Sequence, residues 1–63
     1  MRSDYDRAYD LSREFMIRAK FIIISGDLDK LARAALRDSR RKRISIEAAI
    51  AAFPLFASLR TEA

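Results

Sequence analysis

The sequence predicts an all-α fold, and three observations carry that prediction. Hydrophobic residues make up 51% of the 63 residues, too large a share for a disordered chain. Residue types that favour helices are abundant, whereas glycine and proline occur once each. Apolar residues also recur at spacings of three and four along most of the chain. We therefore expect one small helical domain, residues 1–63, built as an antiparallel helical hairpin followed by a short C-terminal helix.

The first helix is predicted from Asp4 to Ile24, with Ser3 as its N-cap. One apolar stripe runs along it, made of Tyr5, Ala8, Tyr9, Ser12, Phe15, Met16, Ala19, Ile22 and Ile23. The isoleucines at the end of this stripe are β-branched, which favours strands. A short strand over residues 21–25 is therefore the alternative for the end of this helix.

The second helix is predicted to begin at Leu28 and to end between Ser39 and Arg43. Gly26 suits a left-handed cap that ends the first helix, and Asp27 suits the N-cap of the second. The second helix has a narrow apolar face formed by Leu28, Leu31, Ala32, Ala35, Leu36 and Ser39. Because the predicted link is short, the two helices should form an antiparallel pair.

A third, short helix is predicted after Ser45, which suits an N-cap. Its inward stripe consists of Ile46, Ala49, Ile50 and Phe53. Pro54 lacks an amide proton and clashes with the preceding turn, so this helix should end or kink there. We expect Leu55, Phe56 and Leu59 to form a last turn that packs on the hairpin.

The chain is short for a stable monomer. A chain of 63 residues buries only about 60% of the surface that its unfolded form exposes, and it usually needs further support. Cysteine and histidine are absent, so we expect no disulfide, no ordinary zinc site and no cofactor. Association with a second copy is the support that remains. The sequence thus predicts a homodimer that forms a helical bundle.

Positive charge is concentrated in the second helix. The net charge is +4, yet residues 30–43 hold seven basic residues and a single acidic one, Asp38. Five of the basic side chains fall on one side of the helix, opposite its apolar face: Lys30, Arg33, Arg37, Arg40 and Arg41. This set, the cationic face, predicts contact with nucleic-acid phosphates or with an acidic protein surface. A solvated face without a partner is the third interpretation.

Sequence-specific base recognition is not expected from the cationic face. Asparagine and glutamine are absent, and no aromatic residue interleaves with the basic ones. A helix-turn-helix is also disfavoured, because a second helix that ends at Ser39 leaves a link longer than the usual turn. The helix that would then read bases, IEAAIAAF from Ile46, offers almost no hydrogen-bonding side chain.

A protein interface is predicted on the first helix. Ile17, Phe21 and Ile24 fall on a separate side from its main stripe, and a helix with two apolar sides must be covered twice. The second cover is either the C-terminal segment from Phe53 to Phe56 or another chain. With the stripe included, the predicted interface residues are Tyr5, Tyr9, Phe15, Met16, Ile17, Phe21 and Ile24.

Catalysis is not expected from this chain. It has no histidine, cysteine or glycine-rich phosphate loop, and it has little room for the dry cleft that shifts the pKa of a catalytic carboxylate. The apolar run over residues 21–24 is far shorter than the ~20 residues that span a bilayer, and the acidic N-terminus is unlike a signal peptide. We therefore expect a cytoplasmic protein without membrane contact.

Two functional hypotheses follow. The leading one is a small non-enzymatic regulator that, as a homodimer, binds the backbone of DNA or RNA through the cationic face. The alternative is an adaptor or inhibitor that docks on a larger protein through the cationic face or through Ile17, Phe21 and Ile24.

Overall fold

Three α-helices and a 3-10 turn follow one another in the computed structural model, which describes residues 3–57. Their bounds are Asp4–Arg18 for α1, Ser25–Lys42 for α2, Ile46–Ala51 for α3 and Pro54–Phe56 for the 3-10 turn. Residues 3–57 contain no β-strand. The predicted all-α fold is confirmed for this part of the chain, and the two long helices pack on each other.

Helix α1 ends at Arg18, six residues before its predicted end. Lys20 adopts a left-handed conformation with a φ of 59°. Its amide donates to the carbonyl of Ile17 at 3.1 Å, and the amide of Phe21 donates to the carbonyl of Met16 at 3.0 Å. These two bonds form a Schellman motif, which satisfies the last carbonyls of α1 and turns the chain away from the helix axis.

The predicted link between the first two helices is therefore wrong. The segment 19–24, called the linker below, carries the chain from α1 to α2. Ile24 is the extended N-cap of α2 and belongs to neither helix. Gly26 lies in the first turn of α2 without a positive φ, and Asp27 lies in that turn instead of capping it. The β-branched isoleucines lose side-chain freedom in a helix, which explains why α1 does not continue through them.

The core lies where the three helices and the 3-10 turn meet. Its buried apolar residues are Ala8, Phe15, Met16, Leu28, Ala32, Ala35, Ala49, Ile50 and Phe56. The rings of Phe15 and Phe56 have their centroids 5.3 Å apart, so the 3-10 turn closes the core against α1. The predicted packing of Phe56 on the first two helices is thus observed, whereas Leu59 lies outside the residues that the structure describes.

Small side chains occupy several fully buried positions on α1 and α2. Ala8 and Ser12 on α1 and Ala32 and Ala35 on α2 are all fully buried. The Ser12 hydroxyl donates to the carbonyl of Ala8 at 2.8 Å, so this buried polar group is satisfied within its own helix. Short side chains such as these allow two helix axes to lie close together.

The contact of α1 with α2 is not that of a hairpin whose helices are aligned end to end. Tyr5, in the first turn of α1, donates a hydrogen bond to the carboxylate of Asp29, in the second turn of α2. In an aligned antiparallel hairpin these two residues would lie about 14 Å apart along the helix axis, at 1.5 Å per residue. Their side chains cannot span that offset together with the distance between the helices. The two helices are therefore displaced along their axes from the alignment of a simple hairpin.

Hydrogen bonds fix the turn between α2 and α3. Helix α2 ends within the predicted range, and Arg43 follows it in a left-handed conformation with a φ of 55°. The amide of Ile44 donates to the carbonyl of Ser39 at 3.1 Å, and the Ser39 hydroxyl donates to the carbonyl of Ile44 at 2.6 Å. Ser45 caps α3 as predicted, because its hydroxyl accepts from the amide of Ala48 at 3.1 Å.

Two further sequence predictions about helix ends are confirmed. The hydroxyl of Ser3 accepts from the amide of Asp6 at 3.2 Å, which caps α1. Helix α3 ends at Ala51, and Pro54 opens the 3-10 turn, so the chain stops being α-helical just before its proline.

Candidate nucleic-acid interface and the apolar linker

Helix α2 presents the whole cationic face to solvent. Its five members, Lys30, Arg33, Arg37, Arg40 and Arg41, are all exposed. The opposite side of the same helix is buried at Leu28, Ala32 and Ala35. This division follows directly from the helical spacing of basic and apolar residues. The structure therefore brings all the predicted phosphate-binding residues together on one helix.

Two arginines of the cationic face form ion pairs at the protein surface. Arg33 Nε lies 3.2 Å from a carboxylate oxygen of Asp29, and Arg37 Nε lies 3.7 Å from one of Asp38. Both arginine side chains remain about three-quarters exposed, at 75% and 73%. Such exposed pairs are worth at most about 1 kcal/mol and are screened by salt, so a phosphate can compete for these arginines.

The remaining cations of this face are not held in ion pairs by residues 3–57. Neither Lys30 nor Arg40 nor Arg41 forms a salt bridge within that range. Lys42 and Arg43 are exposed as well, so residues 40–43 present four consecutive cations, called the cationic end below. Lys42 and Arg43 were not among the predicted contact residues, because helical spacing turns them off the cationic face. Arg43 adopts a left-handed conformation and ends α2 directly after Arg40, Arg41 and Lys42.

Asp29 is shared between the cationic face and the contact of α1 with α2. The hydrogen bond that Tyr5 donates lowers the pKa of the Asp29 carboxyl below its ordinary value, and the Arg33 guanidinium adds to that effect. The same hydrogen bond to the carboxylate raises the pKa of the Tyr5 hydroxyl. Asp29 is therefore charged at neutral pH while Tyr5 keeps its proton, which preserves the bond between the two helices.

The link between α2 and α3 is shorter than the sequence argument assumed. Only residues 43–45 separate the two helices, which is within the range of a helix-turn-helix. The length of this link therefore does not exclude a helix-turn-helix. The side chains of α3 argue against it instead. This helix has six residues, and Glu47 is its one polar side chain. A carboxylate repels phosphate, and the remaining side chains offer no donor to a base edge.

A second surface of interest lies on and beside the linker. The large hydrophobic side chains that are exposed within residues 3–57 all belong to it: Ile17 (55%), Phe21 (41%), Ile22 (83%), Ile23 (41%), Ile24 (55%) and Leu55 (42%). These six residues are called the apolar linker surface. Monomeric proteins rarely leave so many neighbouring apolar side chains open, and such patches usually mark interaction sites.

The C-terminal segment covers the apolar linker surface only in part. The ring of Phe56 meets the ring of Phe21 edge-on at 6.5 Å between centroids, yet Phe21 stays 41% exposed. Leu55 lines an open groove beside the linker, together with Met16, Phe21, Ile22 and Leu31 and the polar residues Lys20, Asp27 and Lys30. The cover from within the chain thus leaves Ile22 and Ile24 facing solvent.

The predicted interface residues divide into three groups by their exposure. Phe15 and Met16 are only 5% and 4% exposed and belong to the core of this chain, although Met16 also lines the open groove. Tyr5 and Tyr9 are half-buried, with their ring centroids 6.1 Å apart. The others, Ile17, Phe21 and Ile24, are exposed. Ile22 and Ile23 were predicted to continue the apolar stripe of the first helix, but α1 ends before reaching them and both are exposed.

Comparison of the chain with protein-family models, with curated proteins and with solved structures finds no match. Over residues 3–57, no helix combines the length and the hydropathy needed to cross a membrane. Within the same range, no three acidic side chains lie close enough together to hold a metal ion. The two surfaces described above are therefore the features from which a function can be argued.

Proposed function

We propose that this protein is a small non-enzymatic regulator that binds the backbone of nucleic acid, as a homodimer, through the cationic face of α2. The observation that carries the proposal is the placement of charge. Seven basic residues and one acidic residue occupy positions 30–43, and all five members of the cationic face are exposed. Lysine and arginine side chains gathered on one helix are the usual footprint of a protein that binds phosphates.

The dimensions of the cationic face suit a run of phosphate groups. Lys30 and Arg41 lie about 16 Å apart along the helix, at 1.5 Å per residue. Arginine forms paired hydrogen bonds with phosphate oxygens, and it keeps its charge at any physiological pH. Binding to such a face releases counterions from the nucleic acid, so its affinity depends steeply on salt.

Contacts of this kind position a protein on nucleic acid without reading its sequence. The chain has no asparagine or glutamine to pair with adenine, and α3 presents alanine and isoleucine beside Glu47. We therefore expect similar affinity for duplexes of different sequence.

The salt dependence of binding tests this proposal most directly. The variant Arg40→Ala/Arg41→Ala removes two exposed cations that have no ion pair within residues 3–57. We expect its affinity for a short duplex to fall roughly tenfold at physiological salt, equally for unrelated sequences. Because the dimer carries two copies of the variant, the plot of log affinity against log salt concentration should become less steep by up to about 4, one unit for each lost phosphate contact.

A matched control uses two exposed arginines elsewhere. Arg7→Ala/Arg13→Ala removes the same net charge from α1, where Arg7 lies beside the acidic residues Asp4, Asp10 and Glu14. We expect this variant to bind nucleic acid with the wild-type salt dependence. Equal losses in the two variants, or binding that does not change with salt, would overturn the proposal that the cationic face is the contact.

The apolar linker surface favours a second candidate, an adaptor that docks on a larger protein. In that case Phe21→Asp should abolish capture of the partner, while Arg40→Ala/Arg41→Ala should leave it unchanged. Sensitivity to the arginine variant together with insensitivity to Phe21→Asp would count against the adaptor.

A further inference from the structure

We infer that residues Ile22–Ile24 pair with the same residues of a second copy as an antiparallel two-stranded β-ribbon. This ribbon is the contact that would hold together the homodimer of the proposed function. It would form without nucleic acid, so the inference stands or falls independently of phosphate binding. Four features of the linker carry it, namely backbone shape, unpaired backbone groups, flanking charge and exposed area.

The linker already has the shape of a strand. Residues 21–24 contain neither a turn nor a bend, and Ile24 has extended angles (φ −121°, ψ 127°). Phe21 and Ile23 are both 41% exposed, whereas Ile22 and Ile24 are 83% and 55% exposed. This alternation has the period of two that distinguishes strands, with one side facing the protein and the other facing solvent.

The backbone of this strand lacks partners within the chain. In residues 3–57 the amides of Ile22 and Ile23 and the carbonyls of Phe21, Ile22 and Ile23 make no hydrogen bond. An open edge of β-branched residues is a template for pairing with another strand. Proteins commonly blunt such an edge with proline or inward-pointing charge, and neither occurs between Phe21 and Ile24.

Twofold symmetry selects one arrangement. Residues that lie opposite each other in an antiparallel pair share a face of the ribbon, so the outward isoleucines must oppose each other. Pairing Ile22 with Ile24 of the second copy satisfies this condition and places Ile23 on the symmetry axis. Four isoleucine side chains then pack across the outer face, the type of cross-strand contact that stabilises sheets.

The charges that flank the strand favour the antiparallel direction and a second copy as the occupant. Lys20 precedes the apolar residues, and Asp27 follows them. Antiparallel pairing brings Lys20 of one copy toward Asp27 of the other, whereas parallel pairing sets like charges beside each other. The segment is thus complementary to itself.

The exposed area is large enough for association. The exposed fractions of the apolar linker surface correspond to roughly 600 Å² per copy, the upper end of the patches found on single chains. Two copies carry about 1,200 Å² of this surface between them, which is the upper limit of what their contact can bury and equals the lower bound of specific interfaces.

The molar mass in solution, measured by sedimentation equilibrium without nucleic acid, tests this inference. We expect the mass of two chains for the wild type and of one chain for Ile22→Lys/Ile24→Lys, with dimerisation weakened roughly 100-fold or more by four added charges at the axis. Both positions are exposed in the single chain, so circular dichroism should show unchanged helicity. The control Ala48→Lys/Ala52→Lys adds the same charge at exposed positions near α3 and should remain dimeric.

A wild-type monomer, or a dimer that survives Ile22→Lys/Ile24→Lys, would overturn the inference. Oxidation of a single introduced cysteine tests the pairing itself, since the natural chain has none. Ile23→Cys should form a disulfide-linked dimer at least tenfold faster than Ala48→Cys, and equal rates would contradict the ribbon. If the Arg40→Ala/Arg41→Ala variant loses nucleic-acid affinity but stays dimeric, the two proposals are distinguished.

Discussion

The two ends of α2 are built in opposite ways. At its start, Ile24 occupies the N-cap position without a side-chain hydrogen bond, and the preceding linker leaves its isoleucines exposed. At its end, the backbone is fixed by the left-handed Arg43, by two hydrogen bonds between Ser39 and Ile44, and by the Ser45 cap of α3. One end is therefore completed within the chain, and the other is not.

This difference shows which surface can work alone. The cations of residues 40–43 are attached to a backbone that is already ordered, so they can meet a phosphate without first ordering the chain. The apolar linker surface has unpaired backbone groups and exposed side chains, and it would be completed by another molecule. We expect substitutions at the two ends to separate accordingly into effects on binding and effects on association.

The largest expected effect comes from Phe56, whose ring packs against the linker residue Phe21. Phe56 is fully buried and contacts both Phe15 and Phe21 through its ring. Replacing it with alanine should lower the free energy of unfolding by about 3–5 kcal/mol, because a large cavity forms in the core. For a chain of this size the loss approaches the whole stability. Urea denaturation followed by circular dichroism would measure it.

The half-buried Leu11, on α1, supplies the comparison for Phe56. Leu11→Ala should cost about 1 kcal/mol, as is typical of an average substitution. If Phe56→Ala proves equally mild, the 3-10 turn does not close the core, and the linker must be held by contacts other than the Phe56 ring.

A smaller effect of opposite sign is expected at Gly26. It lies in the first turn of α2 without a positive φ, and an added methyl group would meet no atom within 4 Å. Gly26→Ala should therefore raise the free energy of unfolding by about 0.5–1 kcal/mol, because alanine restricts the unfolded chain and favours the helix. A thermal melt would show a higher midpoint. A lower midpoint would instead support the left-handed cap that the sequence predicted.

The error at Gly26 shows where sequence reasoning reached its limit. A lone glycine after an apolar run is the usual sign of a helix end, but Lys20 takes the left-handed position six residues earlier. A lysine is strained in the left-handed conformation, so residue preferences do not predict a helix end at Lys20. The three consecutive isoleucines were the sequence feature that indicated an earlier helix end, since β-branched side chains favour an extended backbone over a helix.

The smallest effect concerns the contact between Tyr5 and Asp29. The lowered pKa of Asp29 adds stability above its ordinary value of 3.8, and that stability is lost as the pH falls through the folded-state pKa. The raised pKa of Tyr5 adds stability below its ordinary value of 10.0, and that stability is lost as the pH rises through the folded-state pKa. Tyr5→Phe should therefore lower the melting midpoint between about pH 5 and pH 9 and matter less outside that window.

Tyr9→Phe provides the matched control for that measurement. Its ring lies beside that of Tyr5, but its hydroxyl makes no hydrogen bond within residues 3–57. The midpoint of this variant should follow the wild type at every pH. If wild type and Tyr5→Phe, which share the same ring, have the same midpoint at every pH, then ring packing and not the hydrogen bond sets the contact.

Much of the candidate site followed from periodicity alone. The spacing of Lys30, Arg33 and Arg37 against Leu28 and its neighbours placed the cationic face correctly on the exposed side of α2. Periodicity could not separate core from interface on α1, because Phe15 and Ile17 are equally apolar. Which of them is buried depends on contacts between residues far apart in sequence, such as that of Phe15 with Phe56.

The full burial of three alanines and one serine on α1 and α2 limits which substitutions these positions can accept. Even one added methyl group would force the helices to shift and would change the direction in which α2 presents its arginines. The positions concerned are Ala8, Ser12, Ala32 and Ala35. The orientation of those arginines thus depends on some of the smallest side chains in the molecule, which are buried and inaccessible to a ligand.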